Sequence, residues 1–154
     1  MAGVRDHREL HAWQLADAVR TEVRELTARP EFRANIELRT QLRRSSESAC
    51  ANIAEGFSRY YPRDFARFLR IAKGSLSETI EHVSTAADAG LIGMNDAVRI
   101  NSLARRARGA CTQLVRYLET AASPRSSPPH RPTESRRPEH QWPAKRGPDP
   151  DRDP

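Results

Sequence analysis

Apolar residues recur every three or four positions along four stretches of the chain, the spacing that places them on one face of an α-helix. The stretches run from about Glu9 to Ala28, from Ile36 to Glu55, from Pro62 to just before Gly90, and from Asn95 to about Ala122. β-Branched and aromatic residues neither cluster nor alternate, so the pattern predicts no strand. The chain is therefore predicted to be all-α.

The apolar face of each stretch predicts the core, and the third stretch is the clearest because its apolar positions lie within an arc of about 120°. The predicted core positions are Ala12, Leu15, Ala16, Val19, Val23 and Leu26 in the first helix, Leu38, Leu42, Ala49 and Ile53 in the second, Phe65, Phe68, Leu69, Ala72, Leu76, Ile80, Val83 and Ala87 in the third, and Val98, Leu103, Ala107, Ala110, Cys111, Leu114 and Leu118 in the fourth.

The residues between these stretches set the helix ends. Pro30 stops the first helix, Asn35 is placed to cap the second, Gly56 is the expected glycine at its C-terminus, and Pro62 suits the first turn of the third. Loops of about five to seven residues favour antiparallel neighbours. We therefore expect an up-down-up-down four-helix bundle.

The last 32 residues are different in composition. Residues 123–154 hold nine of the eleven prolines and only two apolar residues, Trp142 and Ala144. Such a segment buries too little apolar surface to offset the entropy of ordering it. The predicted organisation is a flexible N-terminal arm over 1–8, the bundle over 9–122, and a disordered Pro-rich tail over 123–154.

Several functional classes are disfavoured by the sequence. No run of about 18 apolar residues occurs, as a membrane-spanning helix would require, and the N-terminus lacks the apolar segment of a signal peptide. Cys50 and Cys111 form neither a disulfide framework nor a paired metal motif. Glu78 and His82 are four residues apart, but the helical region lacks the Glu-x-x-His motifs of a di-iron bundle, and no phosphate-binding loop or nucleophile elbow is present. We expect a cytoplasmic, non-enzymatic protein without a cofactor or metal.

The chain is basic, with 26 Lys and Arg against 20 Asp and Glu, and nearly all its cations are arginines. Five of them lie together around the start of the third helix: Arg59, Arg63, Arg67, Arg70 and Lys73. The helix macrodipole disfavours cations there by roughly 0.3–1 kcal/mol each, and Glu78 and Glu81 toward the other end also oppose it. Asp64 is expected to offset Arg67 as an i,i+3 pair. The arrangement is typical either of a solvated charged face or of a surface for the phosphate backbone of nucleic acid.

Two further features point to contacts between helices or subunits. The second helix carries a polar stripe beside its apolar one, formed by Gln41, Arg44, Ser48, Asn52 and Glu55. This stripe is predicted to be either an interface or a solvated face. Gly74-Ser75 interrupts the middle of the third helix, where glycine costs about 1 kcal/mol relative to alanine. Gly74 lies on the face away from the core, which favours the close approach of another chain.

The second and third helices together resemble a known family. The residues that carry the resemblance are Leu10 and Trp13, Gln41-Leu42-Arg43-Arg44, Ser48, Ala51-Asn52-Ile53-Ala54-Glu55-Gly56, Arg59, Arg67-Phe68-Leu69, and Ile71-Ala72-Lys73-Gly74-Ser75-Leu76-Ser77-Glu78. Over about residues 8–120 the chain is similar to the four-helix-bundle proteins encoded in intervening sequences of bacterial 23S rRNA genes. The accessory variability proteins of diversity-generating retroelements belong to the same superfamily. Ser45-Ser46 departs from the pattern, which more usually has small apolar residues there.

The resemblance implies a homopentameric ring with a positively charged surface that binds nucleic acid, and, for the retroelement branch, a reverse transcriptase with its template RNA as partners. The favoured function is therefore oligomeric binding of RNA or DNA through phosphate contacts. The alternatives are an adaptor whose basic face docks a nucleic-acid enzyme, and a purely structural ring. The candidate binding residues are Arg43, Arg44, Arg59, Arg63, Arg67, Arg70 and Lys73, and the candidate structural or interface residues are Gln41, Ser48, Asn52, Glu55, Gly56, Gly74, Ser75 and Glu78.

Overall fold

The computed structural model describes residues 4–59 and 61–122, with side chains described as far as residue 120. Its four long helices are α1 (His11–Thr27), α2 (Ile36–Phe57), α3 (Pro62–Asp88) and α4 (Met94–Ala122). Within the described ranges there is no strand, and the helix ends fall within two residues of those predicted. The prediction of an all-α chain is confirmed.

Packing between the helices confirms the four-helix bundle. α1 packs on α2 and α4, and α3 packs on the same two helices, so α1 and α3 occupy diagonally opposite corners. Short connections bring each helix back beside its predecessor, which gives the up-down-up-down order. Because α3 occupies a corner, the side of α3 that faces away from α1 is exposed along the whole helix.

The core is formed mostly by the predicted apolar faces. In α1 the prediction is confirmed at all six positions, and Leu42, Leu69, Leu76 and Val83 are fully buried in α2 and α3. In α4 the predicted stripe is wrong at its start, because Val98 is 60% exposed. The buried positions there are Ala97, Ile100, Ala104, Ala107, Cys111 and Val115.

Gly56 does not end α2 in the way the sequence suggested. The helix continues to Phe57, and the only glycine with a positive φ among the described residues is Gly90, at 70° just after α3. A Cβ built on Gly56 would lie 2.6 Å from Cδ2 of Phe65 and 2.8 Å from Cβ of Phe68. Glycine is therefore required there because α2 and α3 approach closely, and not because of a left-handed turn.

The starts of α2 and α1 show two further details. Asn35 occupies the N-cap position of α2, but its side chain makes no capping hydrogen bond. Before α1, the Asp6 carboxylate accepts a hydrogen bond from the backbone N–H of Arg8 and starts a short 3₁₀ turn at His7–Glu9. The His7 ring then packs edge-on against Trp13, with 5.2 Å between the ring centroids.

The C-terminal segment predicted to be disordered, residues 123–154, lies outside the described residues. The division into arm, bundle and tail stays a prediction. Among the described residues, no helix combines the length and the hydropathy that crossing a membrane would require.

Candidate nucleic-acid interface

The exposed side of α3 that faces away from the core will be called its outer face. Its members are spaced three or four residues apart, which keeps them on one side of the helix. All of them are exposed: Arg63, Arg67, Arg70, Gly74, Glu78, Glu81, Thr85 and Asp88. The three predicted phosphate-binding arginines of α3 therefore share one solvent-facing surface.

Ion pairing within the chain divides the predicted binding residues into two groups. Arg59 is paired with Glu55 in the preceding turn, and Arg70 is paired with Glu119 of α4. Within the part of the chain that the structure describes, Arg63 and Arg67 have no carboxylate partner, although the guanidinium of Arg67 lies 6.0 Å from the centroid of the Phe68 ring. The expected ion pair between Asp64 and Arg67 does not form, so that prediction is wrong.

Lys73 belongs to a second basic surface, which we call the basic groove. It lies between α3 and α4, has a volume of about 400 Å³, and is lined by Lys73, Arg105, Arg108, Gly109 and Thr112. None of its three cations forms an ion pair with another described residue, and a Cβ on Gly109 would meet nothing within 4 Å. The groove therefore presents three positive charges around an unobstructed surface at Gly109, together with the hydroxyl of Thr112.

The contribution of α4 was missed in the sequence analysis. Arg105, Arg106 and Arg108 precede Gly109, and on a helix Arg105, Gly109, Thr112 and Arg116 fall within about 60° of one another. The signal in the sequence was the run Arg105-Arg106-Ala107-Arg108-Gly109. Its relation to Lys73 could be known only once α3 and α4 had been placed side by side.

The structure does not bring Arg43 together with the arginines of α3. Its guanidinium Nε donates a hydrogen bond of 2.8 Å to Oγ1 of Thr27, so the side chain ties α2 to α1 at the opposite side of the bundle. Arg44 is exposed and lines a shallow cavity of about 340 Å³ between α2 and α3, beside Gln41, Glu78 and His82.

Most cations next to α1 are neutralised, in contrast to those of α3 and α4. Arg20 pairs with Asp17 and Arg24 with Glu47, while Arg29 forms a two-point contact with Asp96, including a hydrogen bond of 2.6 Å. Arg99 lies 2.8 Å from a carboxylate oxygen of Glu22 on α1. Among the described residues, the cations beside α1 are therefore mostly paired, whereas those that line the basic groove are not.

The polar stripe of α2 divides into an inner and an outer part. Ser48 and Ser75 share a hydrogen bond of 2.9 Å between their Oγ atoms, and Asn52 donates to Oγ of Ser48 at 3.1 Å. The hydroxyl of Thr79 donates to Ser45 at 2.9 Å, deep between α2 and α3. We call Ser45, Ser48, Asn52, Ser75 and Thr79 the polar seam, because it joins two helices of one chain.

The outer part of that stripe is solvated. Gln41 donates a hydrogen bond of 3.2 Å to Glu37 within the same helix, and Glu55 is occupied by Arg59. Both side chains are exposed. Ser45 and Ser46, which departed from the family pattern, are buried, and each hydroxyl donates to a backbone carbonyl three residues earlier.

Other chemistry has little support among the described residues. No three His, Cys, Asp or Glu side chains converge in a way that would hold a metal ion. Burial raises the pKa of both the Cys50 and the Cys111 thiols to about 11, although Arg20 near Cys50 and Lys73 near Cys111 act in the opposite direction. At neutral pH both cysteines are therefore thiols, and the nucleophilic thiolate form is scarce.

Comparison with known proteins bears on the same stretch of chain. A model of the 23S rRNA-intervening sequence protein family matches residues 8–113, which include α1, α2, α3 and most of α4. No curated protein matches the chain.

Proposed function

The chain belongs to the 23S rRNA-intervening sequence protein family, and from that premise we propose that it is a non-enzymatic, oligomeric protein that binds RNA or DNA through phosphate contacts. The observation that carries the proposal is that three cations with no ion pair among the described residues converge on one surface between α3 and α4. The basic groove is its centre, with Lys73, Arg105 and Arg108 as the principal contacts.

The chemistry of the groove suits a phosphate diester. Two guanidinium groups can each donate paired hydrogen bonds to phosphate oxygens, while the lysine ammonium adds a compact charge. The shallow shape admits a backbone segment from solvent, since nothing closes over Gly109. Contacts of this kind position nucleic acid without identifying its bases, so binding is expected to be largely independent of sequence.

The test is a salt titration of binding to single-stranded RNA and duplex DNA. In the triple variant Lys73→Ala/Arg105→Ala/Arg108→Ala, the log–log slope should flatten by up to about 0.9 per contact for duplex and about 0.7 for single strands. The variant Arg63→Ala/Arg67→Ala, on the outer face, should flatten the slope less. The matched control Arg5→Ala/Arg33→Ala/Arg39→Ala removes equal charge from side chains away from the groove and should change the slope little.

The adaptor hypothesis predicts a different result. If the chain docks a nucleic-acid enzyme instead, neither the wild type nor any of these variants should bind RNA or DNA alone with a salt-dependent affinity. A reverse transcriptase is the partner implied by the resemblance to accessory variability proteins. The matched family model names only the intervening-sequence branch, so that partner, like the pentameric ring, stays a prediction of the resemblance.

A further inference from the structure

The outer face of α3 separates its charges on the two sides of one glycine. Before Gly74 its charged residues are Arg63, Arg67 and Arg70, and after it they are Glu78, Glu81 and Asp88. All six side chains are exposed, on the corner of the bundle that lies diagonally opposite α1. Half of this face is therefore positive and the other half is negative.

This separation is unfavourable for an isolated helix in two ways. Arg63 and Arg67 are four residues apart and Glu78 and Glu81 three apart, so the nearest neighbours on the face repel each other. The positive half also lies at the helix N-terminus and the negative half toward the C-terminus, which opposes the macrodipole. A solvated face with no partner would be more stable with its charges interspersed.

The spacing of the charges has a further property, which is symmetry about Gly74. Arg70 and Glu78 are each four residues from the glycine, and Arg67 and Glu81 are each seven residues from it. On a regular helix, equal separations on either side of one residue fall at mirror-related angles. Reversing the helix direction about Gly74 therefore exchanges Arg70 with Glu78 and Arg67 with Glu81, whereas Arg63 falls on Thr85.

We propose that the outer face of α3 pairs with the same face of a second copy of this chain, in antiparallel orientation, about a two-fold axis through Gly74. Arg70 then faces the partner subunit's Glu78, and Arg67 faces the partner subunit's Glu81. Because a two-fold contact is isologous, each of these pairs occurs twice. The contact therefore contains four ion pairs, which offset the repulsions within each helix.

Gly74 fits the crossing point of such a contact. It is exposed, and a Cβ built on it would meet nothing within 4 Å in its own chain, so the fold of one chain does not require a glycine there. At a crossing, the missing side chain lets two helix backbones approach closely. Ile71, one turn earlier and 42% exposed, adds an apolar side chain beside the axis.

This pairing goes beyond the proposed function and leaves the basic groove free. Lys73, Arg105 and Arg108 are not among the paired positions, so the principal phosphate contacts and the pairing use different side chains. Arg70 already contacts Glu119, and its guanidinium has enough donors to serve a second carboxylate. A ring closed through other surfaces would pair with a second ring through this one.

The test is a charge swap followed by measurement of mass in solution with the full chain. In Arg67→Glu/Arg70→Glu all four paired positions become negative, and in Glu78→Arg/Glu81→Arg all four become positive. Each variant should raise the dissociation constant of the pair at least about tenfold, since like charges then face each other. The measured mass should halve, whether the pairing unit is one chain or a ring. Combining all four substitutions in one chain should restore pairing, and so should mixing the two variants.

Controls separate pairing from folding and from net charge. Arg5→Glu/Arg33→Glu changes the net charge as much as the basic-to-acidic variant does but should leave the mass unchanged. Gly74→Leu should leave helicity and thermal unfolding of the chain intact while it weakens pairing, because it fills the crossing point. The proposal is overturned if the wild type shows no paired species at low salt, if the control loses pairing equally, or if the combined swap fails to restore it.

Discussion

Gly56 lies where the backbone of α2 passes the aromatic side chains of Phe65 and Phe68 on α3. The sequence predicted that Gly56 caps the C-terminus of α2, as a glycine near the end of a helical pattern often does. That explanation is wrong. The structure shows a steric requirement instead, with a Cβ contact of 2.6 Å to Phe65. Only the relative position of two helices could reveal that requirement.

This contact makes a prediction about stability. Gly56→Ala should lower the free energy of unfolding by about 1–3 kcal/mol, because the gain in helix propensity is smaller than the cost of moving two aromatic side chains. Urea unfolding measures the change. Gly109→Ala is the matched control, since its Cβ meets nothing within 4 Å, and it should stabilise by up to about 1 kcal/mol. Equal responses of the two variants would contradict the steric explanation.

The ion pair between Arg29 and Asp96 makes a second prediction, which concerns pH. The hydrogen bond from Arg29 holds the pKa of Asp96 below its usual value, so the folded state favours the ionised carboxylate. The contribution to stability is therefore present above the unfolded pKa of about 3.9 and is lost as the pH falls through the folded pKa.

Asp96→Asn tests that contribution. It should destabilise the chain by up to about 1 kcal/mol at pH 7, because the pair is partly exposed. The difference between wild type and variant should shrink as the pH falls below about 4, where the wild-type carboxylate becomes protonated. Unfolding curves at several pH values would show this, and a difference that stays constant down to pH 2 would mean that the pair contributes nothing.

The contact between α2 and α3 combines two kinds of packing along one interface. At one end Gly56 admits the aromatic side chains of α3, and farther along the polar seam crosses between the helices at Ser48–Ser75 and Ser45–Thr79. The sequence pattern predicted either an interface or a solvated face here, and it did not distinguish a contact between helices from one between subunits. The structure assigns Ser48 and Asn52 to the contact within one chain.

The buried part of the seam yields a prediction for a double-mutant cycle. Thr79→Val should destabilise the chain by about 1–3 kcal/mol, since it leaves the buried hydroxyl of Ser45 without its donor. Ser45→Ala/Thr79→Val removes both partners and should recover much of that loss. Thermal or urea unfolding of the four proteins gives the coupling energy, and additive effects of the two substitutions would show that the hydroxyls do not depend on each other.

The bundle completes its hydrophobic core within the described residues. The last buried apolar side chains of α4 among the described residues are Cys111 and Val115, and each of the four helices packs on two neighbours. Charge is distributed less evenly than apolar surface, since the cations near α1 are paired and those of the basic groove are not.

A chain shortened after Ala122 should therefore unfold at the same temperature as the full chain. The removed segment is rich in proline, and its sequence has only Trp142 and Ala144 to contribute to a core. Calorimetry of the two proteins makes the comparison. A clear drop in the unfolding temperature would mean that the tail docks on the bundle, with Trp142 as the first residue to test by substitution.

Periodicity along the chain was sufficient for the helices, their ends and most of the core, because each of these depends on neighbours three or four residues away. It failed at Val98, which is exposed, whereas Ile100 is buried. The position of the neighbouring helices decides which of the two apolar side chains faces the core.

The candidate site depended on tertiary structure. Five cations cluster in the sequence, at Arg59, Arg63, Arg67, Arg70 and Lys73. Whether each of them is neutralised depends on which carboxylates the fold brings near, as Glu119 of α4 pairs with Arg70. The basic groove requires Lys73 and Arg105, which are 32 positions apart in the chain and meet only because α3 and α4 are antiparallel neighbours. Electrostatic interactions depend on distance in space, whereas sequence periodicity reports only the face of a helix on which a charge lies.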